Sequence, residues 1–414
     1  MTKKNVKTNT YSIQQRKSVP RALLLLKIGW FFTNFLMIVP VVVLVYTQKG
    51  ISIGDFFLLQ GLFRIAVFLF EIPSGYLSDR FSRRRVLMLG TLIHFVGFAT
   101  LAMAYGFWQL MLGEALLGIS GALFSGTLEA YTYDLLKRNH TQKNFLKEFG
   151  AITTSSQSAE FIAAIIGGYL FYRIGGNGIL WLESLFCLVA TALFFFIPEL
   201  SEIRRKKAKN KSDLADALGI AYNTLRNPKL RNLILFPSVF GAFTIVLLWI
   251  IQPVMETTGI PITLFGIYFA IGKIAAILFA KYAHKICKKF GEINVSLITI
   301  LSVILDIILI FMALKTHNML FVYLACGVME IVPAIRILNS LQYNTLIHND
   351  IESKERGTVL STRAMVSSAI GAIMLSVAKI LLDNYGMKIT MLFTLFMTIF
   401  LFMLLKKVRR YIKK

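Results

Sequence analysis

The sequence predicts an all-α membrane protein whose twelve transmembrane helices form two bundles of six. Hydrophobic residues make up 56% of the 414 residues and charged residues 16%, whereas a soluble domain carries about 25% charged residues. The apolar residues form blocks of roughly 18 residues or more, the length that a helix needs to cross a bilayer. These blocks lack the alternation over about ten residues that is typical of membrane β-barrels.

Twelve such blocks follow one another, and we number them spans 1 to 12. The widest gap, 199–229, holds basic residues at 204–211 and then a weakly amphipathic stretch, which is typical of a helix at the membrane surface. The gap divides the chain into an N-terminal six-helix bundle (1–198), a cytoplasmic linker (199–229) and a C-terminal six-helix bundle with a basic tail (230–414). The blocks lie near 20–46, 55–78, 86–105, 107–135, 148–173, 178–198, 230–255, 262–284, 292–314, 318–346, 357–382 and 388–405.

The distribution of basic residues predicts the orientation of the chain. It carries 45 Lys and Arg residues against 21 Asp and Glu, a formal net charge of +24. Most basic residues lie in loops on the side that also holds both termini; the loops on the other side carry Lys49, Arg173, Lys315 and Lys388. Basic loops face the cytoplasm, so both termini are expected there, with the basic tail against anionic lipid headgroups. This distribution argues against binding of nucleic acid.

No motif indicates a cofactor, a metal site or an enzyme active site. Cys187, Cys287 and Cys326 are far apart and the five His residues are scattered, so neither disulfide nor metal spacing is visible. Residues 266–273 end in Gly-Lys but lack the first Gly and the final Ser or Thr of a phosphate-binding loop. We therefore expect a protein that is not an enzyme. A membrane-embedded transferase and a non-transporting receptor are remote alternatives.

The loop between spans 2 and 3 carries the most specific motif of the chain. Residues 75–85 read Gly-Tyr-Leu-Ser-Asp-Arg-Phe-Ser-Arg-Arg-Arg. This run resembles the signature between helices 2 and 3 of the major facilitator superfamily, with Gly75, Asp79, Arg80 and Arg83 at signature positions and one Ser where the family usually has Gly. With twelve spans and a central basic linker, the resemblance extends over the whole chain.

The resemblance implies a transporter that works by alternating access, in which two halves rock about a central cavity. It also implies a cytoplasmic latch in which Gly75, Asp79, Arg80 and Arg83 act together with Asp134 at the inner end of span 4. Asp79 would accept hydrogen bonds from the start of span 11 in the opposite half. The alternative, that these charges only fix the topology, stays open here.

Span 5 carries small residues where antiporter members of the superfamily have a Gly- and Pro-rich signature. The positions are Ala159, Ala163, Ala164, Gly167 and Gly168, and the Pro is missing. The similarity to antiporters favours export, but the same small residues would also let neighbouring helices approach closely. Both interpretations stay open at this point.

Charged residues inside the spans mark the candidate cavity, because a charge in the membrane interior is costly and usually faces a partner or water. Helical spacing places further polar side chains on the same faces. A structural ion pair between Arg64 and Glu114 is an alternative, and Asp306 and Glu183 are expected to be structural. The residues expected to line the cavity or to serve proton coupling are Lys27, Trp30, Asn34, Arg64, Glu114, Glu129, Gln157, Glu160, Lys273 and Glu330.

A carboxylate in a low-dielectric site takes up and releases protons near neutral pH. Glu160, Glu114 and Glu330 are therefore the predicted proton carriers, in this order. The sequence as a whole predicts a monomeric, proton-coupled transporter in a bacterial plasma membrane that exports small amphiphilic compounds. Uptake of a small metabolite and movement of a lipid-linked molecule are the alternatives.

Overall fold

The computed structural model of the protein describes residues 12–200, 214–316, 319–350 and 356–412. Part of the expected linker, 201–213, lies outside these ranges. Two short 3₁₀ turns accompany the α-helices, at Val39–Val41 and Gln142–Asn144. The α-helices are Ser12–Thr33, Val42–Gln48, Ile53–Arg80, Arg83–Met103, Phe107–Phe124, Thr127–Arg138, Phe145–Phe195, Leu214–Arg226, Pro228–Thr257, Ile262–Phe290, Glu292–Thr316, Met319–Asp350 and Arg356–Ile412.

The helices reproduce the predicted spans. Within the described residues, nine helical stretches are long and apolar enough to cross a membrane. The two longest leave helical geometry at Gly175 and Gly386, where φ is 68° and 76°, values that Gly adopts readily. The chain reverses at the first break, since Gly167 and Glu183 on its two sides both reach the same part of span 1. With two spans in each long helix and a broken span 1, the predicted twelve-span fold class is confirmed.

Span 1 is interrupted by the 3₁₀ turn at Val39–Val41. Backbone groups that leave a helix inside a membrane need other partners. Glu183 of span 6 accepts a hydrogen bond from the Ile38 amide at 2.7 Å. Gln252 of span 7 accepts one from the Val43 amide at 2.9 Å and donates one at 2.8 Å to the carbonyl of the turn's first residue. Side chains from both halves therefore form hydrogen bonds with the backbone groups of the broken segment.

Among the described residues, ion pairs and close backbone contacts join the two halves near one membrane face. We call the face with the basic loop 80–85 the basic face and the opposite one the far face. At the far face, Lys379 of span 11 lies 2.8 Å from a carboxylate oxygen of Asp55 in span 2 and 2.6 Å from one of Asp383. This three-residue group, which we call the far-face ion cluster, joins the two halves.

Spans 5 and 8 cross at very short range on the far-face side of the membrane. A Cβ atom added at Gly266 would overlap the carbonyl oxygen of Ala164, and one added at Gly168 would lie 2.8 Å from the carbonyl oxygen of Ile262. The small residues of span 5 therefore permit close helix packing, as one of the two interpretations expected. The similarity to antiporters stays a prediction.

We expect the substitution Gly266→Ala to lower the melting temperature of the purified protein. Overpacking a close contact costs about 1–3 kcal/mol, although Ala alone favours a helix over Gly by about 1 kcal/mol. Gly327→Ala is the matched control, because a Cβ there meets no described atom within 4 Å. Thermal unfolding in detergent measures the melting temperatures of both variants. Equal melting temperatures of Gly266→Ala and Gly327→Ala would contradict the close contact between spans 5 and 8.

Candidate functional site

A cavity of about 510 Å³ lies in the N-terminal half between spans 1, 3, 4 and 5. Its wall combines aromatic rings with polar side chains, and the rings of Trp30 and Phe124 meet edge to face with their centres 5.2 Å apart. Five residues predicted for the cavity come together here. The lining residues are Trp30, Thr33, Asn34, Leu36, His94, Gly121, Phe124, Ser125, Gly126, Leu128, Glu129, Phe149, Thr153, Ser156, Gln157 and Glu160.

A break in span 4 shapes one wall of this cavity. The helix stops at Phe124 and restarts at Thr127, and Gly126 between them has a φ of 70°, in the left-handed region that favours Gly. The hydroxyl of Ser125 in the break donates to a carboxylate oxygen of Glu71 at 2.9 Å. The break thus exposes backbone and polar groups to the cavity.

An ion pair crosses from one half to the other beside the cavity. The ammonium group of Lys273 in span 8 pairs with a carboxylate oxygen of Glu160 in span 5. Gln157 donates a hydrogen bond of 3.2 Å to the other carboxylate oxygen. The side chains of Lys273 and Glu160 are 30% and 22% exposed, so solvent reaches this cross-half ion pair.

Lys27 lies nearer the basic face, within the N-terminal half. Its ammonium group is 3.0 Å from a carboxylate oxygen of Glu148. Its backbone carbonyl accepts a hydrogen bond of 2.9 Å from the hydroxyl of Ser155. Lys27 therefore links spans 1 and 5. Its positive charge is balanced by Glu148.

Glu114 is buried inside the N-terminal half. One of its carboxylate oxygens accepts hydrogen bonds from the Tyr46 hydroxyl at 2.6 Å and from the Gln60 amide at 2.7 Å. Among the described residues, no ion pair joins Glu114 to Arg64. The alternative of a structural Arg64–Glu114 pair is therefore wrong for this conformation.

Arg64 of span 2 and Arg336 of span 10 belong to opposite halves. Each side-chain stem lies over a glycine: Arg64 over Gly371 of span 11, and Arg336 over Gly241 of span 7. The two guanidinium groups lie within electrostatic range of each other, and Arg336 is also within that range of Glu160. The structure thus brings Arg336 into the same central region as Arg64.

Glu330 and Asp306 lie inside the C-terminal half and not on the cavity surface. Glu330 is 3% exposed and Asp306 is fully buried. Both oxygens of Asp306 and one of Glu330 make no hydrogen bond within the described part of the chain. Glu330 packs against Gly272 and feels the charge of Lys273. Its contact with the cavity is indirect, through span 8.

The predicted latch residues lie at the basic face. Arg83 pairs with Asp134 and also donates to the carbonyl oxygen of Ala130 at 2.9 Å, which joins spans 3 and 4 of one half. Arg80 is exposed, and a Cβ at Gly75 would meet no described atom within 4 Å. The side chains of Asp79 and of residues 356–358 lie outside the described part, so the cross-half contact stays a prediction.

Comparison with known proteins identifies the family. Residues 28–375 match the sequence profile of the Major Facilitator Superfamily. The chain belongs to this superfamily. The crystal structure of a point mutant of the nucleoside transporter NupG shares its fold, with a TM-score of 0.81 over 93% of this chain and 99% of that chain at 14% identity. The superfamily consists of transporters, and the present chain is a multi-pass membrane protein of that type.

Two curated relatives show how far the sequence similarity extends. An uncharacterized transporter of Buchnera aphidicola is 31% identical over 140 residues, 34% of each chain. The multidrug resistance protein MdtG of Proteus mirabilis is 24% identical over 286 residues, 66% of this chain and 68% of that protein. The alignments with the first three curated relatives span only 34%, 51% and 30% of those proteins.

The three residues of the far-face ion cluster were not among those predicted from the sequence. Each lies near the far-face end of its span: Asp55, Lys379 and Asp383. Charged residues are common at span ends and therefore do not by themselves indicate a contact. The spacing of Lys379 and Asp383 by four residues is typical of a helical ion pair, but it does not reveal the partner in span 2. Gln252, a buried amide in the otherwise apolar stretch 245–255, was the available signal for the second contact between the halves, with the broken part of span 1.

We expect Lys379→Met to open the far face, because Asp55 and Asp383 would then face each other without a cation. In a cysteine-free background, Ser376→Cys places a thiol between spans 2 and 11, since the hydroxyl of Ser376 lies 3.5 Å from the position that a Cβ at Gly61 would occupy. A membrane-impermeant maleimide should label this thiol faster in the Lys379→Met variant. Lys388→Met, at an exposed far-face lysine, is the control; equal labelling rates in both variants would contradict the proposed role.

Proposed function

We propose that this protein is a proton-coupled secondary active transporter that exports small amphiphilic compounds by alternating access. The observation that carries the proposal is the solvent-accessible ion pair between Glu160 and Lys273, which joins the two halves beside the cavity. The contacts of the far-face ion cluster and of spans 5 and 8 favour a conformation closed at the far face. The positive-inside rule places the open, basic face in the cytoplasm.

The chemistry of the cavity supports an amphiphilic substrate. Trp30, Phe124 and Phe149 offer apolar and aromatic surface, while Asn34 and Gln157 offer hydrogen-bonding groups. Pockets of this composition bind the apolar part of a ligand by burial and orient its polar part with a few fixed groups. The alignment with MdtG, named as a multidrug resistance protein, supports export.

Protonation of Glu160 couples proton movement to the change of conformation. Two unit charges 4 Å apart attract each other by about 4 kcal/mol at an effective dielectric constant of 20. A proton on Glu160 removes this attraction, so spans 5 and 8 part more easily. Loss of the proton to the cytoplasm restores the ion pair with Lys273. Glu160 is the only predicted carrier, among the described residues, that forms an ion pair across the halves.

The basic-face latch serves the opposite conformation. Arg83 and Asp134 already form a rigid pair in the N-terminal half. We assign to Asp79 the cross-half contact with the start of span 11, which forms when the bundle of residues 1–198 tilts against that of residues 230–414. The protein acts as a monomer in the bacterial plasma membrane, and its basic tail contacts anionic headgroups.

Proton-coupled uptake is a second candidate, and one observation favours it. Arg64, Arg336 and Lys273 outnumber Glu160 in the central region. A proton on Glu160 increases the positive charge of this region further, which favours binding of an anion together with the proton. The direction of substrate movement relative to an imposed proton gradient separates export from uptake.

We expect Glu160→Gln to abolish substrate-dependent proton flux in proteoliposomes with an imposed proton gradient. The amide cannot exchange a proton, and it weakens the attraction to Lys273. The substrate is an amphiphile chosen because it raises the melting temperature of the purified protein in a screen of drugs, sugars and lipids. Flux is followed with a pH-sensitive dye inside the vesicles.

Asp306→Asn is the matched control, because this carboxylate is fully buried and lies away from the cavity. It should keep substrate-dependent proton flux. The reverse pattern, with flux kept in Glu160→Gln and lost in Asp306→Asn, would transfer the coupling role to the carboxylates of the C-terminal half.

A further inference from the structure

We propose that Arg64 and Arg336 together form an oxyanion site between the two halves, which binds the carboxylate or phosphate head of an amphiphile. This assignment rests on the transport function proposed above and names the chemical class of its cargo. The site would draw one guanidinium group from each half, so a bound anion contacts both halves at once.

The position of the two arginines fits a ligand site. Arg64 lies near the middle of the helix Ile53–Arg80 and Arg336 near the middle of Met319–Asp350, so both are deep in the membrane. Both side chains keep partial exposure, and their stems are held over glycines of spans 11 and 7. The planar guanidinium fork matches the geometry of carboxylate and phosphate groups.

Neither arginine has a protein partner that balances its charge. Among the described residues, no hydrogen bond or ion pair involves the guanidinium group of Arg64 or Arg336. Glu160, which lies within electrostatic reach of Arg336, is already paired with Lys273. Glu114 accepts its hydrogen bonds from uncharged groups.

Three other arginines of the chain, in contrast, bind acceptor groups of the protein itself. Arg83 pairs with Asp134, Arg84 donates to the carbonyl oxygen of Ile197 at 3.2 Å, and Arg363 donates to the hydroxyl of Ser340 at 3.0 Å. Arg64 and Arg336 differ from all three, because they repel each other and lack such acceptors.

The local charge balance predicts the sign of the ligand. Arg64, Arg336 and Lys273 carry three positive charges against the single negative charge of Glu160, and Glu330 behind Lys273 is buried. An excess of positive charge in the membrane interior is unfavourable unless it is compensated. An anion between the two guanidinium groups supplies this compensation and removes their mutual repulsion.

The adjoining cavity accounts for the rest of the ligand. Glu160 lines the aromatic cavity and also lies within electrostatic reach of Arg336, so the cavity and the arginine site share this acidic neighbour. An amphiphile can place its head between the arginines and its apolar chain against Trp30 and Phe124. Anions with a short apolar chain are therefore the appropriate probes.

Equilibrium binding to the purified protein in nanodiscs tests the site without any transport step. Isothermal titration calorimetry is run with octyl phosphate, octanoate and octyltrimethylammonium. Wild-type protein should bind an anion and not the cation. Arg64→Gln and Arg336→Gln should each weaken anion binding by about tenfold to a hundredfold, since a hydrogen bond to a charged group contributes about 1.5–3 kcal/mol. Arg173→Gln, at an exposed far-face arginine, should change nothing.

Equal affinities of wild-type protein for octanoate and octyltrimethylammonium would overturn the proposal, and this comparison needs no variant to fold. Anion binding unchanged in both Arg64→Gln and Arg336→Gln would overturn it as well. Tighter binding of octyl phosphate assigns a phosphate head, and tighter binding of octanoate a carboxylate. Intact anion binding combined with unchanged proton flux in Glu160→Gln would refute the proposed coupling alone.

Discussion

The structure depends on the rule that a charge inside the membrane needs compensation. Lys27 obeys it within one half, by pairing with Glu148. The pair of Glu160 and Lys273 obeys it only when the two halves are together. The apolar core continues from one half into the other, for instance where Phe56 meets Trp249, so this ion pair is a charge-dependent part of the contact between the halves. A change in one charge at this position therefore acts on the relative position of whole bundles.

Among the described residues, several polar and backbone contacts between the halves lie on the far-face side of the membrane. Near the far face, backbone approaches backbone at Gly266, and Gln252 bridges to the broken part of span 1. These contacts combine with the far-face ion cluster to hold the two halves together on that side.

Much of this arrangement could be predicted from the sequence, because length, hydropathy and helical spacing describe one helix at a time. Trp30, Asn34, Gln157 and Glu160 were placed on polar faces by their spacing and do share a cavity. Contacts between distant helices leave no such periodic signal. Lys379 and Asp55 are 324 positions apart, so only the packed bundles reveal their pairing. Spacing likewise could not show that Glu114 is satisfied by Tyr46 instead of Arg64.

The proton and the proposed anion are linked through the same group of charges. When Glu160 is ionised, it attracts both Lys273 and Arg336. A proton on Glu160 leaves three basic side chains without an acidic neighbour on the cavity surface, so an anion binds more strongly. By thermodynamic reciprocity, the bound anion favours protonation of Glu160 to the same extent. Cooperative binding of both ligands moves them in the same direction, whereas exchange requires that they compete. The coupling between the proton and an anion in this group of charges is cooperative, so an anionic cargo supports the uptake candidate, and export requires a cargo that competes with the proton.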